Sequence, residues 1–189
     1  MREHNHRGTE TRQRILDAAG VLFRRHGIDR VGVDAIMHQA GLTHGGFYAH
    51  FESKEALVAE VAAATLARSA ARWDRISQEP DHADALKRIV DPYLDPAHVA
   101  AAGQGCILPS LGAEVARRPE VLPAIGDSIR TMVDALHRCR PEDPPDRALA
   151  SLSCMVGAVL LARLTNDPAL AGQFLDAARA EASREPPPA

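Results

Sequence analysis

The stretch Gly41 to Leu57, GLTHGGFYAHFESKEAL, gathers the side chains whose types and spacing suit a polyanion. Thr43 and Tyr48 offer hydroxyls, His44 and His50 imidazoles, and Lys54 a fixed charge at the start of the next helix. Hydroxyls, cations and helix N-termini are the groups that hold phosphate oxygens. Gly45 and Gly46 each cost a helix about 1 kcal/mol against alanine. Two of them in one short helix need another reason, and close approach of a bulky partner supplies one. Leu42, Phe47 and Phe51 are expected to pack inward, leaving the polar groups along one edge.

Other chemistry finds little footing. The three cysteines, Cys106, Cys139 and Cys154, form no C-x-x-C pair, which argues against a disulfide framework and a zinc ribbon. His4-Asn5-His6 would need further ligands to hold a metal, so neither a metal nor a cofactor is expected. Cys106 lies in GQGCILPSLGAE, a helical stretch broken by glycine and proline. It reads as a redox or electrophile trigger, or as a small apolar filler. A thiol hydrolase pairing Cys106 with His98 or His137 has no nucleophile signature behind it. No catalytic residue is assigned, and an enzyme is not expected.

The elements that must position these groups all read as helices. Ile15, Ala18, Ala19, Leu22 and Phe23 make one face of a first helix, capped by Thr9 or Thr11 and ended by Gly27. Val33 to Ala40 is a short second helix whose buried face is Val33, Ile36 and Met37, and Gly41 stops it. With only Gly41 and Leu42 before the third helix, the pair turns sharply, as in a helix-turn-helix. Ser53 caps a long fourth helix whose stripe runs through Val58, Ala62, Leu66, Trp73 and Ile76 to Pro80. Prolines then cut the chain into Asp84 to Asp91, a broken stretch from Ala97 to Arg118, Pro119 to Cys139, Asp146 to Thr165, and Pro168 to Ser183. No strand pattern and no internal repeat appears. The fold class is all-α.

Composition sets outer bounds. The chain has 189 residues, 46% hydrophobic and 25% charged, with a net charge of -3, which excludes global disorder. Residues 1–55 carry eight Lys/Arg against seven Asp/Glu and six of the nine histidines, while the remainder is net acidic. A mildly basic end on an acidic body fits local contact with a polyanion. Arg2, Arg7, Arg12 and Arg14 read as a flexible basic arm. The longest apolar run, Ser153 to Ala162, is about ten residues against the roughly 20 a bilayer needs. No membrane partner is expected, and the reading is of a soluble, cytoplasmic protein.

The string from Thr9 to about Leu57 resembles the TetR family of bacterial transcriptional regulators. Its most specific parts are Ile15-Leu-Asp-Ala-Ala, the Phe23…His26-Gly27 end, and Gly41-Leu-Thr…Phe-Tyr-Ala-His-Phe…Ser-Lys-Glu-Ala-Leu. The resemblance implies a three-helix DNA-binding head on an all-α body that binds a small-molecule effector and dimerises. It places Thr43, His44, Gly45, Tyr48, His50 and Lys54 at DNA-contacting positions. Two departures stand out: Gly32 where many members carry Thr or Ser, and His44 where Lys is frequent. The implied division is an arm over 1–8, the head over 9–56, the body over 57–184 and a disordered tail over 185–189.

Within the body, Trp73, Cys106, Leu108, Leu111, Met132, Met155 and Val159 are candidates to line an effector cavity, though the same stripes serve plain core packing. Arg163, Asn166 and His137 are candidates to orient an effector. The last two helices present Leu152, Val156, Val159, Leu160 and Leu164, then Phe174 and Leu175, a surface wide enough for a homodimeric bundle. The expected function is a repressor released from a pseudo-palindromic double-stranded operator by an unknown small molecule. The alternatives are a repressor triggered through Cys106 and a helical adaptor whose head no longer binds DNA.

Overall fold

Glycine and proline punctuation sets where the helices stop. Gly27 and Gly41 sit in the left-handed region, at φ 83° and 67°, where side chains other than glycine's are strained. Gly27 N–H donates to the Phe23 carbonyl at 2.8 Å and Leu42 N–H to that of Met37 at 2.9 Å, closing the ends of the first two helices. A Cβ on Gly41 would in addition meet an Arg14 nitrogen at 3.1 Å. Starts are marked as regularly. Ser53, Asp81, Asp95 and Asp167 each accept a backbone N–H from the first turn they cap. Pro96, Pro145 and Pro168 occupy first helical positions, where a missing N–H costs nothing.

The computed structural model describes residues 2–184, and every regular element among them is helical. The order is α1 (Arg2–His26), α2 (Val33–Gln39), a 3₁₀ helix (His44–Ala49), α3 (Lys54–Ser77), α4 (His82–Tyr93), α5 (Pro96–Ala100), α6 (Leu108–Val115), α7 (Leu122–Arg138), α8 (Pro145–Leu164) and α9 (Pro168–Ser183). The spine is α3, which packs against α1, α4 and α7, while α8 packs on α6, α7 and α9. Ile15, Ala19, Phe23, Ile36, Phe47 and Leu57 close the core of the head, which is continuous with that of the body.

Four expectations need correction. Neither Thr9 nor Thr11 starts α1, which is already helical at Arg2 and runs through Gly8. One glycine costs about 1 kcal/mol in a helix of this length and does not stop it. Arg12 and Arg14 are not an arm. Arg12 pairs with Glu60 and lies 4.6 Å over the Phe51 ring, and Arg14 donates to the Ala40 carbonyl. Proline also ends less than expected, since α4 carries Pro92 in its last turn and stops one residue later. Finally, α8, whose most apolar 18-residue window has mean hydropathy 1.6, is long and apolar enough to cross a membrane by length and composition. Here it packs on neighbouring helices, with Leu152, Met155, Ala158 and Val159 buried. The tail expected over 185–189 lies outside the described residues.

Candidate functional site

The third helix of the head is a 3₁₀ helix rather than an α-helix, consistent with two glycines in six residues. It is seated from below. Phe47 is fully buried and stacks on Phe51 with ring centroids 5.7 Å apart, and Leu42 is half-buried beside them. Above, Thr43, His44, Gly45 and Tyr48 face solvent, Tyr48 with 64% of its surface free, while His50 and Lys54 are half-buried at the far edge. All six expected contact residues therefore keep access to solvent. The Thr43 hydroxyl makes no capping bond. His44 Nδ1 meets the Asp34 carboxylate from the first turn of α2, a pair that no periodicity announces.

Glycine has a separate meaning at each position. A Cβ on Gly45 would meet no atom within 4 Å, and its backbone is not left-handed, so nothing within the chain requires glycine there. A Cβ on Gly46 would make ordinary contact with Met37 at 3.6 Å. Gly32 caps α2 in extended geometry (φ -85°, ψ 162°) with open space around it, so a hydroxyl residue would fit without strain.

Head and body are stitched together by charge-assisted bonds. Glu114 of α6 accepts the Ile28 N–H at 2.8 Å, and Arg118 pairs with Asp29 at 3.0 Å. Arg24 in the last turn of α1 donates twice, at 2.9 and 2.7 Å, to the Gly103 carbonyl in the loop between α5 and α6. No helical period announces this bond, which joins residues 79 apart along the chain. Arg25 packs so closely on Gly103 that a Cβ there would lie 2.6 Å from its Nε.

The other face of that loop lines a half-open cavity of about 150 Å³. Ser69, Arg72 and Trp73 come from α3, and Arg88, Ile89, Pro92 and Tyr93 from α4. His98 of α5 and Gln104 to Cys106 complete the wall. Trp73 and Tyr93 meet edge-on at 5.5 Å, as do Tyr93 and His98 at 4.9 Å. His98 Nδ1 donates to the Tyr93 carbonyl at 2.6 Å, and Nε2 accepts the Cys106 N–H at 3.0 Å. Both bonds require the neutral ring protonated on Nδ1. Burial, with Arg163 adding to it, holds the His98 pKa below its ordinary value against the opposing pull of the Tyr93 carbonyl and Asp95. A Cβ on Gly105 would lie 2.5 Å from His98 Nε2, so this loop approaches the imidazole only as glycine.

Arg163 Nη1 is buried here without a hydrogen-bond partner among the described residues, and the equally buried Tyr93 hydroxyl has the Cys106 thiol as its neighbour. The other arms of Arg163 donate to the carbonyls of Val99 and His98, at 3.2 and 3.0 Å. Burial pushes the Tyr93 hydroxyl well up, and the neighbouring Cys106 thiol pushes the same way. Burial also raises the Cys106 thiol, against the opposing influence of Tyr93, Arg163 and Arg24. A thiol held protonated is a weakened nucleophile, so this setting disfavours a thiolate trigger.

Of the candidate cavity residues, Trp73 and Cys106 lie on the wall. Leu108, Leu111, Met132, Met155 and Val159 do not. The last four are buried, and Leu108 is half-buried against the same core. Arg163 stands behind the wall at Gly105, while Asn166 is exposed. What the apolar stripes missed is the polar part of the lining, Arg72, Arg88 and Gln104, which reads as solvent-facing sequence. On the final helices, Leu152, Val159 and Leu175 are already spent in the chain's own core, and Val156 and Phe174 are half-buried. Leu160 and Leu164 are exposed and are joined by Leu149, Leu161 and Leu170.

This is a helix-turn-helix head joined to an all-α body with its own cavity. Residues 15–61 match the family described as bacterial regulatory proteins, tetR family. This match spans the helix-turn-helix head and the start of α3, about a quarter of the chain. It is 29% identical over 125 residues to the HTH-type transcriptional regulator UidR of Escherichia coli K12, covering 66% of this chain and 61% of that protein. It is 42% identical over 55 residues to the uncharacterized HTH-type transcriptional regulator YdgC of Bacillus subtilis, 29% of this chain and 28% of that protein. The body is covered by fold likeness. The reduced form of E. coli NemR superposes with TM-score 0.74 at 22% identity, covering 91% of this chain and 95% of that one. A TetR transcriptional regulator from Chloroflexus aurantiacus gives 0.75 at 24% identity and 94% of each chain.

Proposed function

We propose that the chain is a DNA-binding transcriptional regulator, a homodimeric repressor that leaves a pseudo-palindromic operator when a small molecule enters the cavity of its body. The observation that carries this is Gly45. It stands on the outward face of the 3₁₀ helix among Thr43, His44 and Tyr48, with empty space where its Cβ would be. A glycine the chain itself does not need is explained by a surface that must come close, and hydroxyls, an imidazole and Lys54 beside it suit a phosphate backbone.

The second copy docks on α8 and α9. Leu149, Leu160, Leu161, Leu164 and Leu170 are large, apolar and exposed, continuous with half-buried Val156 and Phe174. A two-fold pairing of these faces buries the same leucines from both chains and sets two heads roughly 34 Å or somewhat more apart, the spacing of successive major grooves.

Release runs through residues 101–106. A ligand against Gln104, Gly105 and Cys106 displaces the segment whose Gly103 carbonyl holds Arg24 of α1, and the head turns with it. To move the population from 99:1 to 1:99 the ligand must prefer the released form by about 10⁴-fold.

The test is fluorescence anisotropy on duplexes selected by the protein from a random pool, repeated across a salt series. Affinity is expected to fall steeply with salt, with a logarithmic slope of about -0.9 per phosphate neutralised. Tyr48→Ala and Lys54→Ala are expected to weaken binding at least tenfold while leaving the melting curve in place. Affinity independent of salt, or unchanged in both variants, contradicts the reading.

A further inference from the structure

We propose that Asp34 is a positioning residue for DNA contact: it holds His44 by Nδ1, leaves Nε2 to donate to a phosphate oxygen of the duplex, and balances the charge the imidazole takes on there. This rests on the reading of the head as a DNA-binding surface and names a residue that acts through another within it.

The turn of the head builds the pair. His44 opens the 3₁₀ helix, and Asp34 lies ten residues earlier in the first turn of α2. A carboxylate only accepts hydrogen bonds, so the hydrogen between them belongs to Nδ1 and Nε2 lies across the ring from it. Nε2 has no hydrogen-bond partner among the described residues. The Tyr48 ring meets the imidazole edge-on at 6.3 Å, and Gly45 beside it leaves open space. Both members of the pair face water, with 55% of the His44 side chain and 85% of the Asp34 side chain exposed. The nitrogen this arrangement offers to an approaching surface is Nε2.

Charge decides what the pair can bind. With a neutral imidazole it carries one negative charge and presents a lone pair, and both repel phosphate. With an imidazolium it is neutral, and Nε2–H donates. A phosphate at Nε2 therefore draws a proton from solvent onto the ring, so DNA binding takes up a proton. By linkage, affinity is greatest at low pH and is lost as pH rises.

Asp34 has a plainer use, since a carboxylate in the first turn of α2 stabilises that helix. This use does not involve His44, so removing the charge would then have the same effect with or without the imidazole. Other titratable groups lie near. On α2, which packs against the 3₁₀ helix, His38 stands one turn beyond Asp34 on the same face. Tyr48 is the neighbour within the 3₁₀ helix, and His50, Glu52 and Lys54 follow it in the chain. Every imidazole changes charge near neutral pH, so the test compares variants.

Affinity for a labelled duplex recovered by the selection above is measured by anisotropy from pH 6 to pH 8 at fixed salt, on the full chain. Parent affinity is expected to fall at least tenfold more over this range than that of His44→Gln, while His38→Gln keeps the parent's fall. At pH 6.5, Asp34→Asn is expected to weaken the parent severalfold and to strengthen His44→Gln at least twofold, a reversal of sign that a purely structural carboxylate would not give. An exposed pair adds little to stability, so melting curves stay in place. Nitrogen-15 NMR of the DNA-free protein is expected to show neutral His44 protonated on Nδ1 in the parent and the two tautomers mixed in Asp34→Asn. Equal pH profiles in the parent and His44→Gln, loss of the fall in His38→Gln, weakening by Asp34→Asn in both backgrounds, or His44 protonated on Nε2 overturns the proposal. Any of these with duplex binding intact removes the role of Asp34 and leaves the regulator. Recovery of no duplex by a protein whose His44 is held on Nδ1 removes the regulator, and the DNA contact with it.

Discussion

Replacing Gly45 with alanine separates what the chain needs from what its partner needs. The new methyl meets nothing within 4 Å and the backbone at this position is not left-handed, so the fold accepts it. Relief of glycine's conformational entropy stabilises the protein by roughly 0.5–1 kcal/mol, a rise of about 2 °C in Tm for a chain of this size. On DNA the same methyl stands between the head and the surface it approaches. The expected result is at least a tenfold loss of affinity, about 1.4 kcal/mol. Gly46→Ala is the control, because its methyl turns toward Met37 at ordinary contact distance, and operator affinity is expected to stay within about twofold. Thermal denaturation and anisotropy on one selected duplex give both quantities. A Gly45→Ala protein that binds as tightly as the parent would mean that the glycine serves neither the chain nor the DNA.

Further outcomes follow from the same geometry. Leu164, 72% exposed, is expected to sit in the two-fold face, so Leu164→Glu should raise the dimer dissociation constant at least a hundredfold in analytical ultracentrifugation; an unchanged dimer contradicts the α8–α9 interface. Arg24→Gln removes the charge that holds the Gly103 carbonyl. It is expected to keep operator binding while blunting ligand-induced release, and release as complete as in the parent would show that the signal travels elsewhere. His98 has a folded pKa below its reference value of 6.5, so the unfolded chain binds the proton first on acidification. Its stabilising contribution is thus complete above about pH 6.5 and lost as pH falls through the folded pKa. In an NMR titration His98 should titrate below 6.5 with the Cys106 amide moving in step, and titration at or above 6.5 would contradict the assigned tautomer. Burial raises the Cys106 thiol and takes Cys139 to about 11, so at pH 8 roughly one Cys139 thiol in a thousand is ionised. Iodoacetamide should leave both unmodified in the folded protein and label them in denaturant. Rapid labelling of folded Cys106 would revive the thiol trigger.

The head was legible in the sequence because its signals are local. Gly27, Gly41 and Ser53 act within four residues of themselves, and Phe47 and Phe51 face inward at a spacing of four. What was illegible depends on distance along the chain or on shape. Arg24 and Gly103 are 79 residues apart, Ile28 and Glu114 are 86, and a side chain reaching a backbone group leaves no period to read. Apolar stripes at Met132, Met155 and Val159 look the same whether they enclose a ligand or one another, and here they enclose one another. The cavity instead draws on Arg72, Arg88 and Gln104, residue types that a hydropathy pattern assigns to solvent. The exposed leucine face was half legible for a related reason: α8 is apolar nearly all round, and only packing decides that Leu152 turns inward while Leu164 turns out.

The measurement closest to the central claim is selection of bound sequences from a random duplex pool by the purified protein at near-physiological salt, with the mass of the complex determined on the recovered duplex. The expected product is a palindrome with half-sites about one helical turn apart, or a small multiple of it, and an even number of chains on each duplex. Recovery of no common sequence by a folded dimer would contradict it, and the molecule would then be a helical binding module whose head no longer reads DNA.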